Sequence, residues 1–146
     1  MMSQLQVAVG VVINENAEIL IAHRRPDQHQ GDLWEFPGGK REPSESREAA
    51  LTRELFEEVG INVISATELT RIRHDYADRR VTLDVWLVTE FDGEAHGREG
   101  QKIKWCTLAA LAEHDFPAAN APIITALQQC EQLSVSRKEK PDLPVE

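Results

Sequence analysis

The chain has 146 residues and a formal net charge of −9 at pH 7. That length suits one domain able to bury a core without disulfides or a structural metal. The acidic balance argues against a nucleic-acid polymer or an anionic membrane as partner, but a divalent cation can still bridge an acidic pocket to a single nucleotide's phosphates.

Leu5 to Ile13 is rich in β-branched residues and predicts a strand. The apolar run within it, Val7 to Ile13, is too short to cross a membrane and lacks a basic n-region and a cleavage site, so a cytoplasmic location is expected. Asn14 to Ala17 predicts a turn into a second strand, Glu18 to His23. Arg24 to Asp32 reads as a loop and Leu33 to Phe36 as a short strand ended by Pro37-Gly38-Gly39. Ser44 to Val59 predicts a helix with Ser44 as N-cap, Gly60 at C′ and a core stripe of Leu51, Leu55 and Val59. Strands follow at Ile61 to Arg73, Val81 to Phe91 and Ile103 to Cys106, then one or two helical turns at Leu108 to Glu113. A last helix, Pro122 to Leu133, opens on Asn120-Ala121-Pro122. Cys106 and Cys130 have no metal-ligand spacing and read as reduced thiols. Residues 134–146 form a polar tail beyond a domain of residues 1–133.

Residues 39–61 read GKREPSESREAALTRELFEEVGI. On a helix, Glu54, Glu57 and Glu58 are three and four residues apart and project from one side. Three like charges cost stability unless something neutralises them. Arg53 and Arg47 are candidates to offset part of that charge, and a hard divalent cation offsets it better. A bare E-x-x-E-E is more often a solvated acidic face, but here Gly38, Gly39, Glu45, Arg53 and Gly60 stand in register with it. The run Gly39, Glu45, Arg53, Glu54, Leu55, Glu57, Glu58, Gly60, Ile61 fills the signature box of the Nudix hydrolases. The resemblance implies an α+β fold, an α/β/α sandwich with a mixed β-sheet packed between helices. It also implies metal-assisted hydrolysis of a pyrophosphate bond, with Glu54 as favoured base. Glu57, Glu58, Glu54, Glu99 and the backbone of Gly38 would hold Mg²⁺, with Mn²⁺ the alternative. Whether Glu54 or Glu99 takes the proton stays open. Glu45 sits well at the helix start and can brace an arginine, Arg53 being the one in the box.

The similarity continues outside the box. Leu5 to Gly10, Glu35-Phe36-Pro37-Gly38-Gly39-Lys40, Arg98-Glu99-Gly100-Gln101 and Asp115 to Asn120 resemble the MutT-type members of that family, in order and near spacing. This implies 8-oxo-dGTP as substrate, cleaved to the monophosphate and pyrophosphate, which keeps oxidised guanine out of DNA. Asn120 fits the idea chemically. Guanine shows two acceptors, O6 and N7, on one edge, and oxidation at C8 puts a hydrogen on N7. One side-chain amide then donates to O6 and accepts from N7–H. The same amide turned over also suits adenine, and without the resemblance Asn120 reads as a helix N-cap. By the same resemblance Arg24 and His29 would contact phosphate and sugar. Glu35, Phe36, Pro37 and Gly38 would line the base, and Arg79 would lie near its edge. Trp34, Trp86 and Trp105 are expected to pack rather than stack on a base. Gly31-Asp32-Leu33-Trp34-Glu35 is reminiscent of Nudix enzymes acting on cytidine nucleotides, the alternative substrate class, whereas Asn120 and Pro37 favour the oxidised purine. A non-catalytic nucleotide sensor is a lesser alternative, because no box glutamate is missing. The expected partner is a small-molecule nucleotide substrate, bound by a monomer with no obligatory protein partner.

Overall fold

A computed structural model describes residues 3–24 and 32–130. Strand β1 (Ser3–Val12) sets the architecture. Successive side chains of a strand point to opposite faces, and Ala8, Val9, Val11 and Val12 are all buried. A strand buried on both faces belongs at the centre of a covered sheet. β1 pairs in parallel with β6 (Arg79–Asp92), Val7 opposite Leu83 and Val9 opposite Val85. On its other side it pairs antiparallel with β4 (Gly38–Lys40), and β5 (Asn62–Asp75) closes the far edge against β6. The order β4-β1-β6-β5 makes a mixed sheet.

Helix α1 (Arg47–Val59) covers one face, its Ala50, Leu51, Leu55 and Val59 packing with Ala8, Val12, Trp86 and Val88. Burying Leu51 and Leu55 contributes about 1.5–3 kcal/mol each. Gly10 permits the close approach, because a Cβ there would stand 2.7 Å from Leu55 Cδ1. The opposite face carries Val9, Val11, Leu83, Val85 and Leu87 beneath Leu111 of α2 (Leu108–Leu111) and Ile123 and Leu127 of α3 (Ala121–Gln128). A second, antiparallel sheet has the order β3-β2-β7, from β3 (Trp34–Glu35), β2 (Glu18–His23) and β7 (Ile103–Thr107). The sequence-based α/β/α expectation holds. Cys106 and Cys130 are free thiols. Among the described residues, no helix is long and apolar enough to cross a membrane.

Three local expectations are corrected. The N-cap of α1 is Ser46, whose hydroxyl accepts from Ala49 N–H at 3.1 Å. Ser44 lies instead in a turn that Glu42 and Glu45 close with bonds of 2.9 and 3.0 Å. Pro37-Gly38-Gly39 does not simply end a strand. The chain leaves the small sheet after Glu35, and Gly38 and Gly39 pair with Val9 and Ala8 of β1. Finally, α3 stops at Gln128 rather than Leu133. Residues 131–146, including the predicted tail, lie outside the described residues, as does His29.

Candidate active site

The charged face of α1 is organised by one guanidinium. Arg53 donates from Nη1 to Glu54 Oε2 at 3.0 Å and to Glu57 Oε1 at 3.2 Å. From Nη2 it reaches Glu45 Oε1 at 2.9 Å and the Lys40 carbonyl at 3.0 Å. Arg53 therefore ties the turn before the helix and strand β4 to the carboxylate face. Its hydrogen bonds hold the Glu45 carboxyl down to about 2. Arg47 does not share this duty, contrary to the sequence-based expectation. It makes a bidentate pair with Asp84 at 2.8 Å and 2.8 Å and reaches Glu68 at 3.1 Å, on the sheet side of the helix.

Glu54 and Glu58 point toward β4 and the loop of residues 94–101. Gly39 leaves room for Glu54, since a Cβ there would lie 2.2 Å from Glu54 Oε1. Burial raises the Glu54 carboxyl above its usual range, and Arg53 opposes that rise while Glu57 and Glu99 add to it. Burial pushes Glu58 up to about 8, reinforced by the charges of Glu35, Glu99 and Glu54 and opposed by a hydrogen bond from the Gly38 backbone. Glu58 Oε1 is buried with no hydrogen-bond partner among the described residues. A buried carboxylate oxygen left without a donor is costly, and a hard cation is the partner its chemistry suits. Glu58 thus has the chemistry to take a divalent cation, and Glu54 and Glu99 lie near enough for their charges to act on it. Among the described residues, no three acidic, histidine or cysteine side chains already converge as a finished cage. Glu57 is exposed and held by Arg53.

A cleft of about 100 Å³ opens where the chain switches sheets, lined by Val7, Val9, Glu35, Phe36, Gly38, Leu83, Asn120 and Ile123. Phe36 is buried and stacks on Phe116 with centroids 5.3 Å apart. The Trp34 N–H donates to the Asp115 carbonyl at 2.8 Å, so the segment leading to Asn120 is anchored on β3. Asn120 ends a 3-10 turn (Ala118–Asn120), and its side chain makes no capping bond to α3. Its amide is therefore not spent on the helix. Pro37 is buried and gives its carbonyl to Gly10 N–H at 2.9 Å. Gly38 borders both the cleft and the carboxylate face.

Arg24 Nη1 donates to Glu35 Oε1 at 3.1 Å. Burial raises the Glu35 carboxyl and Arg24 counters it. Arg79 packs 5.8 Å over the Tyr76 ring at the start of β6 and is not among the residues lining the cleft. Trp86 is buried and Trp105 stacks on Phe91, so both pack. Sequence reasoning missed the apolar walls Val7, Val9, Leu83 and Ile123, and also Phe116. Strand alternation alone could have nominated Val7, Val9 and Leu83 as inward-facing, but not as neighbours of Asn120.

A family model described as NUDIX domain matches residues 8–126. The chain belongs to the Nudix family and is a Nudix hydrolase, a class that depends on a divalent metal. Within that class it is 44% identical over 128 residues to the 8-oxo-dGTP diphosphatase of Escherichia coli (strain K12), spanning 88% of this chain and 99% of the relative. It is 34% identical over 118 residues to the CTP pyrophosphohydrolase of the same organism, spanning 81% and 87%. A solved MutT structure from work on Aliivibrio salmonicida and Vibrio cholerae superposes with a TM-score of 0.77 at 40% identity. That match covers 88% of this chain and 100% of the other.

Proposed function

We propose that this chain hydrolyses 8-oxo-dGTP to its monophosphate and pyrophosphate, as a cytoplasmic monomer that cleans the nucleotide pool. Asn120 is the observation that carries the substrate choice. It lines the cleft beside Glu35, Phe36 and Gly38 with no bond to its own helix. Its amide can donate to O6 and accept from N7–H of the oxidised base at once. Unoxidised guanine would set the amide oxygen against an acceptor, a mismatch costing roughly 1–3 kcal/mol. The similarity to the E. coli 8-oxo-dGTP diphosphatase supports the same substrate.

Glu54, Glu57, Glu58, Glu99 and the Gly38 backbone are the groups proposed to hold Mg²⁺. A bound cation withdraws phosphate charge and makes an attacking water more acidic. Glu54 is proposed to take that water's proton, and Arg53 holds its carboxylate in place until then. Glu45 keeps Arg53 from swinging away by accepting two of its N–H bonds. Glu35 is proposed to present Arg24 toward the phosphates, with His29 as a sugar or phosphate contact. Arg79, which packs on Tyr76 outside the cleft, would reach the base edge only by leaving that ring. Phe36, backed by Phe116, is the apolar wall that excludes water from the base.

The 34% identity to a CTP pyrophosphohydrolase supports a second reading, a cytidine triphosphate as substrate. A steady-state panel of 8-oxo-dGTP, dGTP, dATP, dCTP and CTP with Mg²⁺ separates the two. The proposal expects 8-oxo-dGTP to lead in kcat/KM. A panel led by dCTP or CTP would replace it with the second reading, and no pyrophosphate release from any member would refute both.

A further inference from the structure

Helix α1 ends with the carbonyls of its last turn pointing along the axis, where they need donors. Gly60, at φ 74°, turns the chain away and gives its N–H to Phe56 O at 3.1 Å. No basic residue of α1 stands in that turn, and the segment from His96 to Gln101 supplies the donors instead. His96 N–H reaches Val59 O at 3.0 Å and Arg98 N–H reaches Glu58 O at 3.1 Å. The Arg98 guanidinium donates to Phe56 O at 3.1 Å and lies 4.8 Å over the Phe56 ring. These contacts hold the loop to the helix but do not aim Glu99.

Gln101 does that. Its amide nitrogen donates to Glu58 O at 3.1 Å, and its amide oxygen accepts from Glu99 N–H at 2.9 Å. One planar group thus joins the backbone of a box glutamate to the backbone of the loop glutamate. A side-chain amide carries a donor and an acceptor on one planar group, which is what these two bonds use. We infer that Gln101 is a positioning residue for Glu99, bridging it to Glu58 so that the loop carboxylate faces the box carboxylates. This rests on the assignment of Glu58 and Glu99 to the cation. Without the bridge, an exposed glutamate must be ordered each time the cation binds, at a cost in backbone and side-chain entropy. Partners outside the ligand sphere typically change metal affinity by about 10–100-fold.

The test is Mn²⁺ titration of the full chain without nucleotide, followed by the loss of free-ion electron paramagnetic resonance signal. Wild type is compared with Gln101→Leu, Glu99→Gln and the double variant. Gln101→Leu is expected to weaken Mn²⁺ binding about tenfold, and Glu99→Gln at least as much. The double variant is expected to bind no more weakly than Glu99→Gln alone. A residue that only stabilised the fold would weaken binding further in the double variant. Additive losses, or wild-type affinity in Gln101→Leu beside a weakened Glu99→Gln, would overturn the bridge. Wild-type affinity in Glu99→Gln would instead remove Glu99 from the cation, and the positioning role with it. Should Gln101→Leu fold poorly, Gln101→Ala deletes the same two bonds and carries the same expectation.

Discussion

The carboxylate face of α1 and the cleft beside Asn120 meet at Gly38 and are built on opposite principles. The first gathers Glu54, Glu57 and Glu58 on one helix and depends on ions to relieve them, Arg53 doing so in part. The second is mostly apolar, with Val7, Val9, Phe36, Leu83 and Ile123 around one amide. Under the proposed function, electrostatic strain is stored where the bond would be cut, and a single hydrogen-bond pattern stands where the base would be read. The two regions should therefore fail separately, cleavage without recognition and recognition without cleavage.

The largest separation is expected from Glu54→Gln. Removing a general base lowers turnover by about 10²–10⁴-fold, while nucleotide binding, measured by calorimetry, should persist because the cleft is untouched. Near-normal turnover would take the base role from Glu54.

A second separation uses pH. Glu58 is pushed from its ordinary 4.5 up to about 8 without a cation. Its proton must leave before a cation binds, so Mg²⁺ affinity should fall about tenfold per pH unit as pH drops below about 8. For stability the sign is the reverse of a salt-bridged carboxylate. The folded state holds the proton more tightly than the unfolded state. The contribution is therefore full below about 4.5 and is lost as pH rises through about 8. Melting curves across pH 5–9 should show this decline in chelator and not in saturating Mg²⁺. A decline unchanged by Mg²⁺ would detach Glu58 from the cation.

Arg47 is the control within the same helix. Its carboxylate partner Asp84 is buried on strand β6 of the sheet and faces the helix. Burial alone would raise Asp84, but the Arg47 bonds, with Trp86 and Arg71, carry it below its usual range. Arg47→Met should cost about 3 kcal/mol by leaving that charge unpaired, with kcat at low temperature preserved. The smallest effect is Ser46→Ala, a cap loss of about 1 kcal/mol in denaturant unfolding, again with no change in substrate preference.

The box helix was legible because its signals are local: an apolar stripe every four residues, a glycine stop and carboxylates three and four apart. Its start was misjudged by two residues, since Ser44 and Ser46 look alike and the turn closed by Glu42 and Glu45 decides between them. β4 was not legible, because Gly38 and Gly39 carry no strand propensity and are held extended by pairing with β1, some thirty residues earlier. Asn120 was legible as a chemical possibility, but its company was not. Its neighbours come from β1, β6 and the sheet switch, so no spacing in the chain announces them. Gln101 is the same case, an ordinary loop residue until its two bonds are seen.

The most direct measurement is the ratio of kcat/KM for 8-oxo-dGTP over dGTP, in wild type and in Asn120→Ala. The account predicts a large ratio in wild type that falls about 5–150-fold in the variant, the equivalent of 1–3 kcal/mol, mainly through loss on the oxidised substrate. A wild-type ratio near one, or a ratio that Asn120→Ala leaves unchanged, would contradict it.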